Sequence, residues 1–177
     1  LLFFLLSMCT LPVSQNKSLL DEWRKTLGNE VIKSPFPPID PPQETLVSRT
    51  LRSLKESAKR FPGKAALIEA YNQDRSLTYQ QIHDQALSIV AFLHSLGFGV
   101  GESATAMHVN CIELPVIHLG VWAAGGIFSG VISSYKHEEA LTQFIDSASL
   151  VIFTSEALLG LVMGVIDDCP PMKVELV

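Results

Sequence analysis

Apolar positions along the chain fall into blocks whose period changes, and those changes place the elements. Over residues 45–59, Leu46, Leu51, Leu54 and Ala58 recur near helical spacing with Arg and Lys between them, which predicts an amphipathic helix. The run FPGK at 61–64 ends it, and residues 65–69 form a short apolar strand followed by the turn YNQDRS. Thr78 opens a second helix. Thr78 and Gln81 make a capping box, and Ile82, Ala86, Ile89, Val90, Leu93 and Leu96 share one face. Gly97 follows as the residue just past the helix end.

Residues 103–108 (SATAMH) then read as a strand, and Asn110 is expected to cap the next helix with Glu113 at its third position. The apolar run at 126–132 is rich in β-formers. Residues 138–147 are helical, 150–155 a strand, 156–166 a helix, and MKVELV a final strand. Strands alternating with helices of ten to twenty residues predict an α/β fold with a mostly parallel sheet flanked by helices. The last strand, read as cut off at the chain end, predicts an incomplete sheet whose edge pairs with other chains.

Three segments result. Residues 1–19 are an apolar N-terminal segment. Residues 20–44 combine a short polar helix (20–33) with SPFPPIDPP, five prolines in nine residues, which reads as an extended arm. Residues 45–177 are the α/β domain. The opening LLFFLLSMCTLPVS is too short to span a bilayer. It reads as the apolar region of a signal peptide, the end of a membrane anchor, or sequence upstream of a start at Met8. Membrane association through residues 1–13 is one expectation; an intracellular location (cytoplasm, peroxisome or organelle membrane) is favoured without the compartment being fixed, and oligomeric state has no signal.

Composition narrows the functional classes. At 47% hydrophobic and 18% charged, this is a globular chain. A net charge of −5 gives no overall basic footprint for nucleic acid. Cys9, Cys111 and Cys169 are widely spaced, with no CxxC or CxxH pair, so reduced intracellular thiols are the simplest reading.

The densest chemistry lies in NCIELPVIHLGVWAAGG, residues 110–126. Cys111 and His118 are seven apart, on one face if both are helical, while Glu113 and His118 are five apart and do not share a face. The apolar neighbours favour a core helix; a nucleophilic Cys111–His118 dyad is the alternative. Pro115 removes one backbone bond near the helix start. Gly97, Gly99 and Gly101 follow a helix and precede a strand, the reverse of a dinucleotide-binding turn, so they read as a helix-ending loop. No Walker-type loop is present. Gly125 and Gly126 suit a left-handed turn and a close helix–sheet approach. Glu138 and Glu139 favour a helix start over a paired-carboxylate acid/base site. Asp167 and Asp168 read as a solvated helix end. His83, His94, His108 and His137 share no ligand spacing. Residue chemistry therefore assigns no catalytic, cofactor-binding or metal-ligating residue.

The order of the pieces says more. Pro62, Lys64 and residues 66–68, residues 77–79, Gly101 with Glu102, Asn110 with Glu113, residues 124–126, and Glu138–Glu139 through Asp146 and Ser147 occur in one sequence. In this order they resemble the N-terminal region of the adenylate-forming enzymes, the acyl-CoA synthetases, 4-coumarate–CoA ligases and luciferases. The proline arm is similar too, so the resemblance covers roughly residues 34–177. Departures fall at Glu102 for the family's Asp, Val109 for its Pro, Ile132–Ser133 for its Asn-Pro, and Lys136 for its capping Thr.

The resemblance implies an incomplete N-terminal subdomain of the acyl-CoA synthetase-like fold. It implies a parent that activates a small carboxylic acid with ATP and Mg²⁺ to an acyl-adenylate, then transfers it to CoA. The family's Ser/Thr/Gly-rich loop with Pro-Lys-Gly, its ribose-binding acid and its C-terminal Lys have no counterpart in this sequence. The chain alone is therefore expected to be inactive and to bind none of these ligands tightly; the alternative is a non-catalytic pseudoenzyme or interaction protein. The acyl substrate is not legible.

Overall fold

The computed structural model describes Lys25, Phe36, Pro37, Asp40, residues 43–169 and the backbone of Glu175–Leu176. Residues 1–42 and 43–177 are separate units. The apolar N-terminal segment lies outside the described residues, as does nearly all of the predicted polar helix and proline arm.

Helix α1 (Leu46–Arg60) starts where Thr45 accepts the Ser48 amide at 3.2 Å. Its inward side chains Val47, Leu51 and Leu54 pack on Leu77, Ile82 and Leu119. Strands β1 (Ala65–Ile68) and β2 (Ser76–Thr78) pair antiparallel as a separate hairpin. The sequence pattern marks residues 77–79 only as a helix start; a seven-residue turn is too short for a parallel crossover, so Ser76–Thr78 folds back antiparallel on β1.

Helix α2 (Tyr79–Ser95) carries both halves of the predicted capping box: Gln81 N–H donates to Thr78 Oγ1 at 3.2 Å, and Thr78 N–H donates to Gln81 Oε1 at 2.8 Å. It ends as expected at Gly97, φ 80°, where Gly97 N–H bonds the His94 carbonyl and Phe98 N–H the Leu93 carbonyl. Leu93 and Phe98 are both buried beside this turn, whereas Leu96 at the cap is partly exposed.

Strand β3 (Ser103–His108) lies at the centre of a four-stranded sheet with β4 (Ile127–Ile132) on one side and β5 (Val151–Thr154) on the other. Strand β6 (Glu175–Leu176) pairs with the far side of β5, and every pairing is parallel. The order β4-β3-β5-β6 means that the chain steps one way from β3 to β4, then crosses back past β3 to β5. Right-handed crossovers running in opposite directions put their helices on opposite faces. Accordingly α3 (Leu114–Ala123) joins α2 over Ala104, Ala106, Val151 and Phe153. On the other face α4 (His137–Ser147) and α5 (Glu156–Asp168) cover Met107, Val131 and Ile152 with Ala140, Phe144, Val162 and Val165. The α/β fold with helices on both faces of a parallel sheet is as expected.

One local expectation is corrected. Asn110 does not cap α3: the helix begins after Glu113, with Pro115 inside its first turn. Proline lacks an N–H, so it suits a first turn, where amides have no intrahelical partner, and moves the helix start toward itself. Asp167 and Asp168 are exposed at the end of α5, as expected, and Asp168 also has a partner. Its Oδ2 lies 3.0 Å from His137 Nε2, joining the end of α5 to the start of α4. Lys136, with no side-chain acceptor, supplies only half a cap to α4: its N–H donates to Glu139 Oε2 at 2.8 Å.

Glycine sets the helix spacing on the α2–α3 face. A Cβ on Gly120 would lie 2.6 Å from Ile89 Cβ, and one on Gly126 would lie 2.4 Å from the Phe98 ring. Gly125, φ 87°, makes the left-handed turn between them. On α5, by contrast, a Cβ on Gly160 would meet nothing within 4 Å. Gly120→Ala is therefore expected to destabilise the chain by about 1–3 kcal/mol through overpacking. Gly160→Ala should stabilise it by about 0.5–1 kcal/mol through helix propensity. Urea unfolding midpoints of the two variants check the opposite signs.

Candidate functional site

In open parallel α/β sheets, ligands bind outside the carboxyl ends of the strands where the strand order reverses. Here that edge is formed by the residues following β3, β4 and β5. A cleft of about 340 Å³ opens between the ends of β3 and β4, lined by His108, Asn110, Leu114, Phe128 and Ser133 among others.

The loop after β3 is held by the β1–β2 hairpin. Glu69, at the end of β1, accepts the Ile112 amide at 3.3 Å. Arg75, from the hairpin turn, pairs with Glu113 and lies 3.8 Å from Glu69. With two carboxylates on one guanidinium, Arg75 is committed to fixing this loop. The sequence reading missed this set; the cue was a lone Arg in an otherwise acidic and polar turn. At the neighbouring strand end, Thr154 Oγ1 donates to the Met107 carbonyl at 3.0 Å.

Cys111 sits in this loop rather than on α3, so the seven-residue spacing to His118 puts the two on no common helix face. Its neighbour is His108, with Nδ1 3.4 Å from Sγ. The same Nδ1 lies 2.7 Å from the Val109 carbonyl. A proton donated to that carbonyl leaves Nδ1 no lone pair with which to accept the thiol proton. Burial, and to a smaller degree Glu113, push the Cys111 thiol up, away from thiolate. The geometry is that of a structural thiol and not an activated nucleophile.

His118 is a wall residue of the core. Its ring lies 4.0 Å from Trp122 and 4.0 Å from Phe128, stacked on the latter at 24°. Burial among these rings lowers its pKa from the ordinary 6.5.

The glycine loop at 97–101 is closed from within. Gly99 N–H donates to Glu102 Oε2 at 2.5 Å, so a carboxylate occupies a position that a phosphate would need. Gly101 N–H bonds the Gly125 carbonyl at 3.2 Å. Glu138 and Glu139 start α4, and Glu139 turns back to its cap. Among the described residues no three His, Cys, Asp or Glu side chains gather as a metal site. Among the described residues the structure brings together a braced carboxyl-edge frame and a cleft, with no acid–base pair or anion cradle lining that cleft.

Comparison with known proteins supplies what this geometry does not. Residues 54–174 match a family model described as AMP-binding enzyme. The chain is 37% identical over 123 residues to a long-chain-fatty-acid–CoA ligase of Bacillus subtilis (strain 168), covering 68% of this chain and 21% of that protein. It is 29% identical over 126 residues to 4-coumarate–CoA ligase-like 9 of Oryza sativa subsp. japonica, covering 71% and 22%. Among solved structures, a benzoate CoA ligase from Burkholderia xenovorans LB400 superposes with a TM-score of 0.64 at 21% identity, over 73% of this chain and 24% of that one. The chain thus spans about a fifth of the length of these curated relatives.

The His118 environment has a pH consequence. The unfolded chain takes up a proton near 6.5, while the folded chain resists it to lower pH. Stability is then full above 6.5 and falls as pH drops below it, because the unfolded state binds the extra proton. Urea unfolding from pH 7.5 to 5 should show this slope, and His118→Gln should flatten it.

Proposed function

We propose, since the chain belongs to the AMP-binding enzyme family, that it is the N-terminal part of an ATP-dependent carboxylic acid–CoA ligase. The observation that carries this reading is the match over residues 54–174, which spans α2, the whole β4-β3-β5 core and its flanking helices. The relatives' names cover a long-chain-fatty-acid ligase and a 4-coumarate–CoA ligase-like protein, so the substrate class proposed is a small-molecule carboxylic acid, aliphatic or aromatic.

In the proposed reaction, a carboxylate oxygen of the acid attacks the α-phosphorus of ATP and pyrophosphate leaves. The CoA thiol then adds to the acyl carbonyl, and AMP leaves with the electron pair of the broken acyl–phosphate bond. Developing charge on the phosphates calls for preorganised amides, a Lys and a divalent ion. The described residues around the sheet do not fit that demand. They hold no metal-binding cluster, Arg75 is paired with two carboxylates, and the glycine loop is closed by Glu102. Their part is architectural: α2, α3 and the hairpin brace the carboxyl edge of the sheet, so that groups contributed by other residues can act against a fixed wall.

Two measurements test this reading. The 177-residue chain, given Mg·ATP, CoA and a panel of fatty and aromatic acids, should release no pyrophosphate above background. A chimera carrying residues 54–174 in place of the matching segment of the Bacillus subtilis ligase should form acyl-CoA within about tenfold of that ligase. Turnover by the chain alone would overturn the first expectation, and a folded but inactive chimera would overturn the ligase assignment.

A further inference from the structure

The charge of this chain is unevenly placed. Six of its 13 Lys and Arg lie between residues 49 and 64, where Glu56 is the lone acid; residues 65–177 hold three bases against twelve acids. Helix α1 gathers this positive charge on one side. Its apolar side chains Val47, Leu51 and Leu54 are committed to the core, while Arg49, Arg52, Lys55, Lys59 and Arg60, with Lys64 just beyond, are exposed. Arg52 is offset by Glu44 at 2.5 Å and Glu56 at 3.3 Å. Among the described residues, no carboxylate pairs with the other five cations. At the end of the helix Phe61 is 38% exposed, with Arg60 5.0 Å and Lys64 5.1 Å from its ring centre.

We propose that the outer face of α1 is a docking surface for an anionic phospholipid bilayer. Charge complementarity is the first argument: a basic stripe, roughly 22 Å long at 1.5 Å per residue, stands on an otherwise acidic body. Phe61 is the second, an exposed aromatic ring flanked by cations, the composition that settles at the headgroup level. The third lies in the same chain: the apolar run LLFFLL at 1–6 precedes the basic stripe, and stable membrane attachment takes two such signals. Because Val47, Leu51 and Leu54 are half-buried against the core, the helix rests on the headgroups through its outer side and does not sink into the acyl region. Among the described residues no helix is long and apolar enough to cross a membrane. A nucleic acid fits less well, since single strands need several stacking rings and Phe61 is one exposed ring beside this stripe. The docking does not depend on what the chain catalyses.

Sedimentation of the full 177-residue chain with vesicles tests this. Vesicles of phosphatidylcholine and phosphatidylglycerol at 7:3 should bind it at least tenfold better than phosphatidylcholine alone. Sodium chloride at 0.5 M, where the Debye length is roughly 4 Å, should abolish the difference. The triple variant Lys55→Gln, Lys59→Gln, Arg60→Gln should weaken binding to the anionic vesicles by on the order of 10- to 100-fold, with an unchanged far-ultraviolet circular dichroism spectrum. Equal binding to both vesicles, or no salt effect on the unaltered chain, overturns the proposal. So does retention on polyglutamate or single-stranded DNA without retention on anionic vesicles.

Discussion

Strand β3 is paired along both edges and covered on both faces, and the other elements follow from satisfying it. Its backbone donors and acceptors must bond to strands on either side, so β4 and β5 are drawn to it from opposite directions. That reversal sends α3 to one face and α4 with α5 to the other. Small residues make the arrangement possible: Ala104 and Ala106 let α2 and α3 lie close on one face, an approach shared with Gly120 and Gly126. On the other face Thr105, fully buried, cannot be left without a partner. Its hydroxyl lies 2.6 Å from Ser149 Oγ and 3.2 Å from Ser147 Oγ, which brings the end of α4 onto the strand.

That hydroxyl cluster accounts for a strained residue. Ala148 ends α4 in the left-handed region, φ 46°, a conformation that alanine disfavours by roughly 1–2 kcal/mol. The serines on either side of it are both tied into the same buried set, with Ser149 also 3.2 Å from Ser103. Turning the chain there keeps Ser147 and Ser149 on Thr105 and lets Val151 enter the sheet beside Ala104. A glycine would relieve the strain locally; the cluster holds the turn without one.

The carboxyl edge shows the same dependence on distant partners. The loop after β3 carries the residues that look most chemical in the sequence, yet its shape is imposed from outside by Glu69 and Arg75 of the hairpin. The result is a rigid frame with a cleft, in keeping with a chain that spans about a fifth of its relatives' length. The glycine loop, which resembles a phosphate site in composition, is closed by its own Glu102.

Local periodicity made most elements legible. Residues 103–108 were placed to the residue, α2 was legible from its cap at Thr78 to Gly97, and α1, α4, β5 and α5 fell within a residue or two of their expected ends. The family was legible as well, since it rests on the order of many short patterns. What the sequence could not decide were pairings between positions far apart or in irregular loops. Arg75 meets Glu113 across 38 residues, and His137 meets Asp168 across two helices. Cys111 meets His108 and not His118, because Pro115 moved the helix start. Hydrophobic spacing and caps are properties of neighbouring residues, so the sequence by itself determined the elements, their amphipathic faces and the family. Strand order, the separate hairpin and the partner of each loop side chain were decided only by the tertiary structure, because each depends on which surfaces are buried against one another.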